Sequence, residues 1–146
     1  MKFILVILLF SFLKTSNSYA QDDILGVWFT QSKNSKIEIS KKGNKYFGKI
    51  IWLEEPIDKE TSKPLKDKEN PNKDLRNNDL LDMTILKDFV YDEKNKEFKG
   101  GTIYDPENGK TYKAKITLPS RNELDLRGYV GIPAFGRTEN WTRTNK

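Results

Sequence analysis

From Lys110 to Leu118 the chain alternates without a break. Tyr112, Ala114, Ile116 and Leu118 fall on one side, and Thr111, Lys113, Lys115 and Thr117 on the other. A period of two over that length is a half-buried strand with one dry and one wet face. Just before it, Asp105-Pro106-Glu107-Asn108-Gly109 has the chemistry of a tight reversal. Pro106 presets φ near about −65°, Asn108 and Gly109 tolerate positive φ, and Asp105 can accept from its own downstream backbone. Gly100 to Tyr104 supplies the other arm, so the segment reads as a hairpin.

The same grammar runs through the rest of the chain. Gly26 to Thr30 is a first strand, and Ile37 and Ile39 alternate with polar neighbours in a second. Lys42-Gly43-Asn44 turns into a third, Lys45 to Glu54, apolar on both faces: Tyr46, Gly48, Ile50 and Trp52 on one, Phe47, Ile51 and Leu53 on the other. Such a strand is covered on both sides or kinked near Gly48. Met83, Ile85 and Phe89 mark a fourth strand, Glu97 to Tyr104 the fifth, Lys110 to Leu118 the sixth, Leu124 to Gly128 the seventh and Arg137 to Arg143 the eighth. No segment has a helix of ordinary length. Eight short strands in hairpin succession predict an all-β, up-and-down antiparallel barrel, with a β-sandwich as the alternative. One stretch breaks the ladder. Residues 55–80 contain Pro56, Pro64 and Pro71 and a charge-dense Lys66–Asn70, and read as a long structureless loop with a short helical turn near Asp74–Asn78.

The N-terminus has a separate logic. Lys2 precedes an apolar run, Phe3 to Phe10, that resumes at Phe12 and Leu13, and Ser18 and Ala20 occupy the −3 and −1 positions for cleavage before Gln21. Residues 1–20 therefore read as a secretory signal peptide and 21–146 as a single periplasmic or secreted domain, with no transmembrane span after cleavage. With no Cys in the chain, a lipoprotein-type anchor has no attachment point. Loss of Lys2 and Lys14 leaves 24 basic against 21 acidic side chains. The lysines are spread among acids rather than clustered, which argues against a nucleic-acid partner.

The absence of His and Cys carries more weight. It removes His-based triads, thiol nucleophiles and Cys/His metal sites, and no cofactor is expected. Asp105, Glu107 and Asn108 in one turn, and Asp67, Glu69 and Asn70 in the long loop, are oxygen-rich, but they lack the spacing of a calcium loop. An acid–base pair of Asp105 with Tyr104, near Lys110, is equally well explained as a hairpin with solvated charges.

Gly26-x-Trp28, Asn70-Pro71, Ile103-Tyr104-Asp105-Pro106-x-Asn108-Gly109-Lys110-x-Tyr112, Arg127-Gly128-Tyr129-x-Gly131 and Gly136-Arg137-Thr138-x-x-Trp141-Thr142-Arg143 together resemble a secreted bacterial family catalogued as a domain of unknown function, number 2147. The resemblance covers essentially all of the mature chain. It implies a calycin, lipocalin-like barrel, in which Trp28 and Arg143 would stack to close one end. Arg137 is the alternative partner for Trp28.

A barrel of eight strands either fills with side chains or holds one small ligand. Trp52, Tyr104, Tyr112, Arg127 and Trp141 combine apolar area with polar tips and are the candidate ligand-binding residues, with Tyr104 and Tyr112 expected to face a common interior. The reading is a binding protein rather than an enzyme: an exported carrier of an apolar or amphipathic small molecule. The alternatives are a filled barrel acting as an envelope interaction module and, more weakly, a His-free carbohydrate-active hydrolase.

Overall fold

The computed structural model describes residues 21–146, so the expected signal peptide lies outside the described residues. Eight strands follow one another in chain order: β1 (Gly26–Phe29), β2 (Ser35–Lys42), β3 (Lys45–Leu53), β4 (Thr84–Asp92), β5 (Glu97–Asp105), β6 (Lys110–Ser120), β7 (Glu123–Tyr129) and β8 (Arg137–Thr144). Each pairs antiparallel with the next, and β8 returns to β1 through Val27↔Thr144, Trp28↔Arg143 and Phe29↔Thr142. The barrel is closed. Closure leaves no unpaired sheet edge, which a sandwich of the same strands would expose.

The lower half of the barrel is filled and sealed. Trp28, Ile37, Tyr46, Phe89, Phe98, Ile116 and Leu124 are buried there, with the Tyr46 and Phe98 rings edge to face at 4.9 Å. Burying each such side chain contributes roughly 1.5–3 kcal/mol. A short 3-10 turn, Gln21–Ile24, runs beneath the barrel, and the Trp28 indole N–H donates to the Ile24 carbonyl at 2.8 Å. Because the register sets Arg143 opposite Trp28, the guanidinium lies 4.3 Å from the indole centroid. It also donates to the carbonyls of Leu25 (2.8 Å), Arg121 (2.6 Å) and Asp23. Gly26 permits this approach: its φ is 123°, and a β-carbon there would fall 2.9 Å from an Arg143 nitrogen.

Irregularities in the ladder decide which side chains face inward, those on β3 and β4 among them. On β3, Lys36 pairs with Trp52 but Ile37 with Ile50, so Ile51 is an extra residue and the strand bulges. Tyr46, Gly48 and Ile50 keep the inward face, while Trp52 is turned outward. The register with β4 also shifts on both sides of Gly48, but the extra residues belong to β4, and Gly48 itself stays in unbroken register with Ile39 of β2. Of the two expectations for β3, a kink at Gly48 is therefore not what forms; Leu86 and Ile37 pack into the space a side chain would take there. The long connection from β3 to β4 is not structureless as the sequence suggested. Ile57 bridges Pro64, Lys66 bridges Asp79, and a 3-10 turn at Lys73–Leu75 is capped by the Asn72 side chain. Its backbone groups pair within the loop, for example Leu65 N–H to Pro56 and Leu80 N–H to Leu65, both at 2.9 Å. The hydrophobic pattern missed this because the loop is ordered by backbone bonds and polar side chains rather than by periodic apolar burial.

Candidate functional site

The upper half of the barrel is hollow. A cavity of ≈ 1070 Å³ opens among the β1–β2 turn, the long loop, the β5–β6 turn and the start of β8. Its apolar wall is built from inward positions of the strands: Ile50, Ile85, Ile103, Leu126 and Trp141, with Leu65 and Leu80 from the long loop.

The long loop reaches this mouth through two contacts. Asp67 is only 1% exposed and accepts from the Tyr104 hydroxyl at 2.7 Å and from the Asn70 amide at 2.6 Å. Beside it, Glu69 packs on the β5–β6 turn so closely that a β-carbon on Gly109 would collide with the Glu69 carbonyl. Gly109 has φ 68° and donates its N–H to Asp105 at 2.8 Å. Burial and the neighbouring Asp67 carboxylate push the Tyr104 phenol up to about 12. At neutral pH it is a fixed donor, not a base. Asp105 is absorbed by its own turn, accepting from Glu107 N–H at 2.9 Å and the Asn108 amide at 3.0 Å.

The five sequence candidates part company here. Tyr112 pairs with Ile103 and faces inward, its hydroxyl accepting from the Asn108 amide at 3.0 Å. Tyr104 pairs with Thr111, so it leaves the opposite face of the hairpin and turns to the long loop. The two tyrosines border one cavity, but from different faces rather than from a common interior. Trp141 is buried on the cavity wall and donates its indole N–H to Glu139 at 3.1 Å. Trp52 does not reach the cavity. The β3 bulge sets it on the outer surface, 37% exposed, edge-on to Phe29 at 6.0 Å with Lys36 over both rings. Arg127 also lies outside: Leu126 and Gly128 take the inward positions, and Arg127 clamps the β7–β8 connection through Pro133 O (2.6 Å), Ala134 O (3.3 Å) and the Thr138 hydroxyl (2.8 Å).

Residues outside the candidate set complete the site. Arg137 and Glu139 border the cavity, with Arg137 donating to Glu139 at 3.0 Å. Their signal was present in the sequence, since both stand in step with Trp141 and Arg143 on β8. Asp67 had no such signal: only the fold brings it to Tyr104.

A family model described as an uncharacterised protein conserved in bacteria, DUF2147, matches residues 26–143. The protein belongs to this family. The match runs from the first residue of β1 almost to the end of β8, so it covers the barrel itself. Among solved structures the DUF2147 chain is similar to HP1028 from the human pathogen Helicobacter pylori, described as belonging to the lipocalin family. The two share 28% identity over 84% of this chain and 83% of that one, with a TM-score of 0.69. No curated protein matches. The DUF2147 barrel is thus lipocalin-like, an architecture whose hollow suits ligand binding in general.

Proposed function

We propose that the protein is an exported binding protein that holds one small apolar or amphipathic molecule in the upper half of the barrel, with the 54–83 loop forming part of the rim. The hollow carries this reading. At ≈ 1070 Å³ it is slightly larger than the roughly 300–1,000 Å³ typical of small-molecule sites. The apolar body of a ligand would rest against Ile50, Ile85, Ile103 and Leu126 beside Tyr112 and Trp141, and its polar end would sit among the rim groups. Export is supported by the Lys2, Phe3–Phe10 and Ser18-x-Ala20 pattern. The same hollow weighs against a filled barrel working only through its outer face. A hydrolase would need two carboxylates converging in one cleft, whereas Asp105 is held by its turn, Glu139 by Arg137 and Trp141 and Glu55 by Lys59, and Glu54 and Glu107 stand at exposed sites on separate connections. Native mass spectrometry of protein purified from its own host tests the proposal. The expected spectrum contains a one-to-one complex with a small molecule. The bare chain alone, with no saturable uptake of a neutral apolar fluorophore, would overturn it.

A further inference from the structure

We infer that the ligand of this cavity is a cationic amphiphile, an amine or quaternary ammonium headgroup on an apolar body. The inference rests on the reading of the hollow as a ligand site and specifies what that site selects.

The whole chain has more basic than acidic residues, 26 against 21. The charged residues bordering the cavity reverse this balance: Glu54, Glu55, Asp105, Glu107 and Glu139 against Arg137 alone. Two of the acids are neutralised locally, Glu139 by Arg137 at 3.0 Å and Glu55 by Lys59 at 2.8 Å. Asp105, Glu54 and Glu107 have no ion pair among the described residues.

Carboxylates on an open surface are simply solvated. Here they ring the mouth of a hollow whose walls are apolar, and a low-dielectric cleft lined by one sign of charge focuses its field on whatever enters. An anionic headgroup would meet three carboxylates that have no counter-cation among the described residues, and a single guanidinium already engaged by Glu139. Like-charge opposition of this kind excludes ligands as effectively as attraction recruits them. A cationic headgroup meets the reverse, and Tyr112 and Trp141 on the wall add aromatic surface suited to an onium group.

Displacement of the neutral fluorophore N-phenyl-1-naphthylamine by three ligands with the same chain, n-decylamine, n-decanol and decanoate, tests this at neutral pH. At low salt, decylamine is expected to bind about tenfold more tightly than decanol, and decanoate more weakly than either. The preference should shrink at about 0.5 M salt, where screening acts within a few ångströms. It should also shrink in Glu54→Gln/Glu107→Gln, whose positions are exposed turn and loop sites. Equal affinities, or decanoate binding best, would overturn the inference while leaving the cavity reading intact. If the fluorophore itself shows no saturable binding, the cavity reading falls and takes the inference with it.

Discussion

Replacing Tyr104 with phenylalanine removes one hydroxyl and leaves the Asp67 carboxylate, 1% exposed, with the Asn70 amide as its remaining side-chain donor. Hydrogen bonds to charged groups contribute about 1.5–3 kcal/mol, and an under-satisfied buried acceptor costs a similar amount. Tyr104→Phe is therefore expected to lower unfolding stability by about 2 kcal/mol. Asp67→Asn should cost a comparable amount, and the double variant little more than either. Urea denaturation of the four proteins gives the coupling energy, expected at about 1.5–3 kcal/mol because the pair is in direct contact. The same contact has a pH signature. The Tyr104 phenol is raised from its ordinary 10.0 to about 12, so the unfolded chain loses that proton first. The contribution is present below about pH 10 and fades as pH rises toward 12. A coupling energy below about 0.5 kcal/mol would show that Asp67 does not depend on Tyr104 and would refute the reasoning.

Acid should act on the long loop through another carboxyl. Asp58 is held down from 3.8 to about 2, chiefly by its bond to Lys68 and then by the Thr61 N–H. Its contribution is present above about pH 4 and is lost as pH falls through about 2. Hydrogen exchange at Glu60 and Thr61 should accelerate across that window before the strands respond. At the sealed end, Arg143→Ala removes donors to three carbonyls and the stack on Trp28, and is expected to cost about 2–4 kcal/mol in chemical denaturation. Arg143→Lys should not restore it, since a point charge cannot serve the same fork of acceptors. Export predicts that the mature protein begins at Gln21, which N-terminal sequencing of material secreted or released from its host would check.

The strand ladder was legible because each strand carries its own evidence: period-two burial, and turns such as Asp105–Gly109 whose residues specify the backbone. Trp52 could not be placed, because a single extra residue at Ile51 reverses every later side chain on β3, and bulges are set by pairing with neighbours. Arg127 was ambiguous for a different reason. Its odd spacing from Leu124 and Leu126 left both faces open, and a ligand-binding charge and a clamp look alike until the partner carbonyls of Pro133 and Ala134 are known. Asp67 lies in a run of alternating charges where nothing local separates it from Lys66, Lys68 or Glu69. Its burial depends on Tyr104, 37 residues away. The hollow is likewise a collective property: no one residue encodes the space between Ile103, Leu126 and Trp141.

The most direct test uses Gly128, which faces that space from β7. A β-carbon there would meet Ile103 at 3.7 Å and Tyr112 at 3.9 Å, ordinary contacts, so Gly128→Leu extends into the cavity without forcing the backbone. Titration of N-phenyl-1-naphthylamine should give saturable one-to-one binding to the native protein. Affinity should fall at least about tenfold in Gly128→Leu, since a side chain then occupies the site. Trp52→Ala, on the outer surface, should bind like the native protein. Unchanged affinity in Gly128→Leu, or loss of binding in Trp52→Ala with the fold retained, would place the ligand outside the barrel and contradict the account.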